Sequence, residues 1–331
     1  MTYIIAEIGQ NHNGDTATAR QLITAASNAG ADAVKFTIRD LEAEMSPEFG
    51  IKRYTSEHSY GCTYANHRKA LELPQEELYE LKAFARARGL DFVLTICQYT
   101  LVPDFEWLCD KIKVASRDID NIPLLEALSK TNKEVILSTG MAIDVSEITR
   151  AVKILNGKTS ILYCVSNYPT ELDMLSLDYI MYYKKHFHKR IHKVGFSDHT
   201  LGTFVAPIAV ARGAEIIEKH ITLDKSAKGT DHKVSADPEE FKKLVSDIRK
   251  ADSLLKGNVF KKVVIDSKYK LGRSVAYKHD MKVTSIVTKS DVHMVSPGNG
   301  FKWGQLNKIL GHTLSRDVEK NEIIKKGDFY E

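Results

Sequence analysis

Short runs of β-branched and aromatic residues alternate along most of the chain with longer stretches whose apolar residues recur every three to four positions. The runs are Tyr3 to Ala6, Ala33 to Phe36, Phe92 to Thr95, Lys111 to Val114, Glu134 to Leu137, Ser160 to Cys164, His192 to Phe196 and Glu215 to Glu218. Each reads as a strand. The stretches between them, among them Ala17 to Ala29, Gln75 to Arg88, Ile143 to Leu155 and Gly202 to Arg212, read as amphipathic helices. Gly30, Gly89 and Gly213 close several of these, as glycine does where a helix ends in a left-handed residue. Eight strands alternating with helices over about 220 residues predict an α/β fold, the parallel (β/α)8 TIM barrel.

The rhythm then changes. Asp237-Pro238-Glu239-Glu240 opens one more helix, with an acceptor at the N-cap, proline in the first turn and acid behind it, and Phe241, Leu244, Val245, Ile248 and Leu255 form its apolar face. Residues 257–272 carry four lysines with little helical period and read as a linker. Beyond Arg273, strand-like pieces (Ser274 to Tyr277, Val283 to Val287) are broken by turns and by the loop Ser296-Pro297-Gly298-Asn299-Gly300. The expected organisation is a barrel over 1–256, a linker over 257–272 and a small β-rich module over 273–331.

Composition narrows the function classes. Of the 331 residues 27% are charged and 43% apolar, and no apolar run nears the roughly 18 residues of a membrane span, so no membrane partner is expected. A formal charge of +4 with no dense Lys/Arg block gives nucleic acid no footprint. The start, MTYIIAEIGQNHNG, places Glu7 where a signal peptide needs an apolar segment, and the four cysteines show no CxxC spacing. A cytoplasmic protein with reduced thiols is expected. His186 and His188, which follow two lysines, read as solvated surface rather than a metal site.

In a barrel of this kind the chemistry sits at the C-terminal ends of the strands. Those ends carry Glu7, Lys35, Thr95, Lys113 with Ser116, Ser138, Ser166 with Tyr168, Ser197 with Asp198 and His199, and His220 with Asp231 and His232. Two lysines among hydroxyls suit a small ligand bearing phosphate and carboxylate. His199 and His220 end neighbouring strands, and two neutral imidazoles with open positions suit a divalent ion that keeps water and substrate as its other ligands.

These residues also carry a resemblance. Ile4-Ile5-Ala6-Glu7-Ile8-Gly9 with Asn11-His12-Asn13-Gly14, then Gly30-Ala31-Asp32-Ala33-Val34-Lys35-Phe36, Leu137-Ser138-Thr139-Gly140, Tyr168-Pro169-Thr170, Ser197-Asp198-His199-Thr200 and Ile217-Glu218-Lys219-His220 resemble the sialic acid (nonulosonate) synthase family in order and spacing. Pro297-Gly298-Asn299-Gly300 with Gly311 resembles that family's antifreeze-like SAF module. The resemblance implies condensation of phosphoenolpyruvate with an N-acylmannosamine-type aldose, giving a nine-carbon 2-keto acid and phosphate. It implies metal ligands at His199 and His220 for Mn2+ or Mg2+. It matches Lys35, Thr95, Lys113, Ser116, Ser138, Ser166 and Ser197 to the phosphoenolpyruvate pocket, Glu7 to the carboxylate near the reacting carbons, and Tyr168 and Asp231 to sugar contacts. It also implies a domain-exchanged homodimer, each module capping its partner's barrel.

The departures concern the sugar. Thr37 stands where the family commonly has glutamine, Thr95-Ile96-Cys97 where it has Thr-Pro-Phe, and Ser296 where an arginine reaches the partner's sugar site. Serine cannot supply arginine's fork of donors. Arg117 and Asp118, where a glycine and a glutamate are usual, read either as an internal ion pair or as selectors of an acidic or phosphorylated sugar. Two other readings are a shorter-chain keto acid synthase on the same barrel, against which the module argues, and an inactive carbohydrate-binding relative.

Overall fold

The computed structural model describes residues 1–155, 157–256 and 262–330. It divides into two compact units, Met1–Leu255 and Lys256–Glu331.

In the first unit eight parallel strands close into a barrel: β1 (Tyr3–Gly9), β2 (Ala33–Ile38), β3 (Asp91–Ile96), β4 (Lys111–Val114), β5 (Glu134–Ser138), β6 (Thr159–Tyr163), β7 (Val194–Asp198) and β8 (Ile216–His220), with β1 closing on β8 through the pairing of Glu7 with His220. All eight strands expected of the barrel are present. Most run one to three residues further toward their C-terminal ends than the apolar pattern indicated.

Alternation along these strands creates layers. Ile5, Ala33, Val93, Ile136, Leu162 and Ile216 point inward and form a dry plug across the barrel. Two residues on, the same strands turn Glu7, Lys35, Thr95, Ser138 and Glu218 into the interior, because a strand repeats its face every second residue. The positions of opposite parity, among them Ile4, Val34, Phe92, Leu94, Ile112 and Ile217, pack outward against the helices in the main core. Gly195 on β7 is needed by the plug: a Cβ there would lie 2.4 Å from the Ile216 carbonyl and 2.6 Å from the Leu162 side chain. The sheet thus sets a polar layer directly on an apolar floor.

The second unit has its own core, in which Val275, Tyr277, Val287, Val292, Ile309, Leu314, Val318 and Ile324 are buried. Its β9 (Ser274–Tyr277) pairs antiparallel with β10 (Val292–Val295). Val283–Val287 does not form the strand its β-branched residues suggested. Thr284 has φ +73°, a left-handed value incompatible with a strand, and only Ile286 makes a bridge, to Thr313. Within the stretch read as a linker, Lys262–Leu271 is helical, and Gly257 to Lys261 lie outside the described residues. Lys268 and Lys270, which looked like linker charges, occupy that helix's last turn, where cations meet the negative end of the macrodipole.

Candidate active site

The polar layer opens into a cavity of about 280 Å³ at the C-terminal ends of the strands. Of the residues singled out from the sequence, Glu7, Lys35, Thr37, Thr95, Lys113, Ser116 and Arg117 line it from the first four strands and their loops, and Ser138, Tyr168, Ser197, His199, His220 and Asp231 line it from the rest. Ser166, Asp198 and His232 are not among the lining residues described. The Ser166 hydroxyl lies 2.9 Å from that of Ser116, Asp198 pairs with the buried Lys219 at 3.1 Å, and His232 Nδ1 lies 2.7 Å from the Thr222 hydroxyl.

The floor is an ion cluster. Lys35 Nζ donates to Glu218 Oε2 at 2.8 Å and stands 3.4 Å from Glu7 Oε2, with all three side chains buried. Ser197 donates to the other Glu218 oxygen at 2.8 Å. Lys113 Nζ donates to Ser138 Oγ at 2.6 Å and to the Val114 carbonyl at 2.9 Å. Burial is the largest single influence on each group, though it does not decide the direction for all of them. It pushes the Glu7 carboxyl up to about 7, against the pull of Lys35 and with the help of the neighbouring Glu218 charge. It pushes the Lys113 ammonium down to about 8. For Glu218 burial is outweighed by the charges of Lys35 and Lys113 and the hydrogen bonds from Lys35 and Ser197, so this carboxylate is held well below the usual range. Glu218 is therefore the fixed anion of the floor and Glu7 the one that exchanges a proton near neutrality.

Two imidazoles form one wall, their ring centroids 5.8 Å apart. Burial lowers both, His199 to about 4, so each is neutral at physiological pH. His199 Nδ1 lies 2.8 Å from the Val165 carbonyl, which fixes the proton on that nitrogen and leaves Nε2 as an acceptor. Tyr168 OH approaches Nε2 at 3.1 Å and Ser197 Oγ at 3.3 Å. His220 Nδ1 is buried without a hydrogen-bond partner among the described residues and stands 3.9 Å from Asp231 Oδ2. A neutral imidazole keeps one unprotonated nitrogen, and two such rings with a carboxylate nearby fit a divalent cation that retains open coordination positions. No cluster of three or more ligating side chains is present among the described residues, which separates this arrangement from a closed structural site. Gly140 lets the segment after β5 pack closely on the segment after β6, since a Cβ there would meet Cys164 Sγ and Ser166 Oγ at 2.5 Å.

Comparison with known proteins gives this geometry a context. The sequence profile described as the NeuB family matches residues 22–260, and that of the SAF domain matches residues 272–329. The chain is 34% identical to the N-acetylneuraminate-9-phosphate synthase of Homo sapiens over 97% of its own length and 91% of that protein. It is 33% identical to the N,N'-diacetyllegionaminic acid synthase of Legionella pneumophila, covering 97% and 93%. The crystal structure of the sialic acid synthetase of Leptospira borgpetersenii, solved with citrate, superposes with a TM-score of 0.69 at 31% identity, covering 82% of this chain and 92% of that one. The chain belongs to the NeuB family.

The NeuB-family pocket of this chain contains groups that the strand-end reading passed over. Glu218 lies two residues before His220, so period two alone would have turned it inward. His12, which the Asn11-His12-Asn13-Gly14 turn places on the cavity wall, accepts from the Gly14 N–H at 3.0 Å, and burial lowers it to about 4. Arg39, four residues after Lys35, shares its parity. Arg68 and Glu72, at one end of the helix Tyr64–Leu71, gave no local signal of a place in the pocket.

Proposed function

We propose that the chain is a nonulosonic acid synthase that joins phosphoenolpyruvate to an N-acylmannosamine-type aldose, releasing phosphate and a nine-carbon 2-keto sugar acid. The observation that carries this reading is the floor of the cavity, where two buried lysines, hydroxyls on three strands and a carboxylate titrating near neutrality meet above an apolar plug.

The chemistry follows from these groups. Lys35 and Lys113 hold phosphate and carboxylate, with Thr95, Ser116, Ser138 and Ser197 supplying directional donors and Ser166 supporting Ser116. Tyr168 and Asp231 face the sugar. A divalent ion, Mn2+ or Mg2+, held by His199 and His220 would supply Lewis acidity toward the aldose carbonyl. The enol carbon C3 bonds to C1 of the aldose, C2 becomes electron-poor, and water adds there. Glu7, poised near pH 7, accepts the proton from that water and returns it to the former aldose carbonyl oxygen, which becomes a hydroxyl. The bond from C2 to the phosphate oxygen then breaks as the new C2 hydroxyl gives its proton to the departing phosphate and becomes the keto oxygen, and the two ammonium groups compensate the phosphate's charge. The dry plug below and the buried walls keep other water from the reacting carbons.

No helix among the described residues is long and apolar enough to cross a membrane. The four cysteines are free, which supports a reducing, cytoplasmic setting. A homodimer is supported by apolar side chains left exposed beside the barrel rim, where Leu172, Leu201 and Phe204 line one groove and Phe204 is 70% exposed. Glu7→Gln tests the assignment of the base. It should keep a phosphoenolpyruvate-induced rise in Tm and lose product formation, and parental turnover would remove Glu7 from the chemistry.

A further inference from the structure

The condensation leaves the two charged residues beside the wall imidazoles without a task. Asp198 precedes His199, Lys219 precedes His220, and the two are partners in the register of β7 on β8. Ser197 and Glu218 face the cavity, so Asp198 and Lys219 face away from it, at the parity of Phe196 and Ile217 in the outer core. Both side chains are completely buried, and their charges meet at 3.1 Å. The pair also holds Thr200. Asp198 Oδ1 accepts from the Thr200 N–H at 2.9 Å and from its hydroxyl at 2.7 Å, and Lys219 Nζ donates to the Thr200 carbonyl. His199 is thus bracketed, because its two chain neighbours are bonded to each other and, through Lys219, to the strand that carries His220.

Stability does not account for this arrangement. An ion pair taken out of water loses in desolvation much of what it gains in attraction, and an apolar pair of similar volume is often as stable or more so. Asp198 Oδ2 is buried and makes no hydrogen bond among the described residues, so it meets the ammonium without the directional bonding that favours a buried pair. What the pair does supply is position. A cation held by two imidazoles needs both nitrogens at ligand distance at once, and these rings come from different strands, their centroids 5.8 Å apart. The Val165 carbonyl sets the rotation of the His199 ring, and the pair sets the backbone from which that ring projects.

We infer that Asp198 and Lys219 are positioning residues that fix the spacing of His199 and His220 for a divalent cation while touching neither the cation nor the substrates. The inference rests on the metal reading of the two histidines. The test is the Kd for Mn2+, by calorimetry on chelator-treated protein, in the parent, in Asp198→Asn/Lys219→Met and in Thr200→Val. The double variant carries no unpaired buried charge, so its Tm should stay within about 5 °C of the parent's. It should keep its phosphoenolpyruvate-induced shift in Tm, because the floor is untouched. It should bind Mn2+ at least about tenfold more weakly, the usual result of removing groups that orient a ligand. Thr200→Val, which leaves the ion pair in place and removes one bond of the bracket, should weaken Mn2+ by about threefold or more. An unchanged Kd in the folded double variant, or in Thr200→Val if the double variant does not fold, overturns the positioning role. Loss of the phosphoenolpyruvate shift together with Mn2+ affinity marks a general loss of structure and overturns it as well. A parent that binds no Mn2+ would overturn the metal reading itself, and this inference with it.

Discussion

Glu218→Gln probes the electrostatics of the floor without changing its shape. Glu7 and Glu218 both approach the Lys35 ammonium, at 3.4 and 2.8 Å. Their carboxylates are therefore no more than about 6 Å apart, and two unit charges at that distance repel by about 3 kcal/mol at an effective dielectric near 20. That is a factor of roughly 100 in an acid constant. Stability should change less than titration, because the lost attraction to Lys35 is offset by relief of this repulsion and by ionisation of Glu7 beside the same ammonium. The assay is the pH profile of kcat/KM for phosphoenolpyruvate, read as phosphate release. Glu7 acts ionised, so the parental rate should rise as pH rises through about 7. Lys113 acts protonated, so it should fall as pH rises through about 8. Glu218 holds both values up, and in the variant both inflections should move to lower pH, the acid one by more than one pH unit. An acid limb that stays near 7 would show that Glu7 does not sense Glu218, and the coupled floor described above would be wrong.

The metal assignment predicts that exhaustive chelation abolishes turnover and that Mn2+ or Mg2+ restores it, with His199→Ala and His220→Ala each losing about a hundredfold or more; full activity in excess chelator would refute it. For the dimer, sedimentation should give twice the chain mass, and Phe204→Glu should shift the equilibrium toward monomer; a monomeric parent at micromolar concentration would end that reading.

Much of the barrel was visible in the sequence because its strands and helices repeat their apolar residues at different periods. The strand ends were not. At β7 and β8 the apolar pattern stops at Phe196 and Ile217, while hydrogen-bonded strand continues to Asp198 and His220. Polar site residues replace apolar ones there, so the signal fades where the chemistry begins. Lys113, His199 and His220 could be located because each sits at or beside a strand end, and Lys35 because the apolar run that carries it stops at Phe36, although β2 continues to Ile38. Arg39 and Arg68 could not be paired, since 29 positions separate them in the chain and their meeting at Glu72 is set by how one helix packs on the barrel. In the second unit Val283–Val287 carried β-branched residues, but its backbone turns at Thr284. Side-chain preference alone did not reveal that turn.

The most direct test is to mix the protein with phosphoenolpyruvate and a panel of N-acylated hexosamines, free and phosphorylated, and to follow phosphate release and product mass together. The account predicts that phosphate appears only when both substrates are present, matched mole for mole by a product heavier than the aldose by the mass of pyruvic acid. Release of phosphate without such a product, or neither signal with any member of the panel, would contradict it.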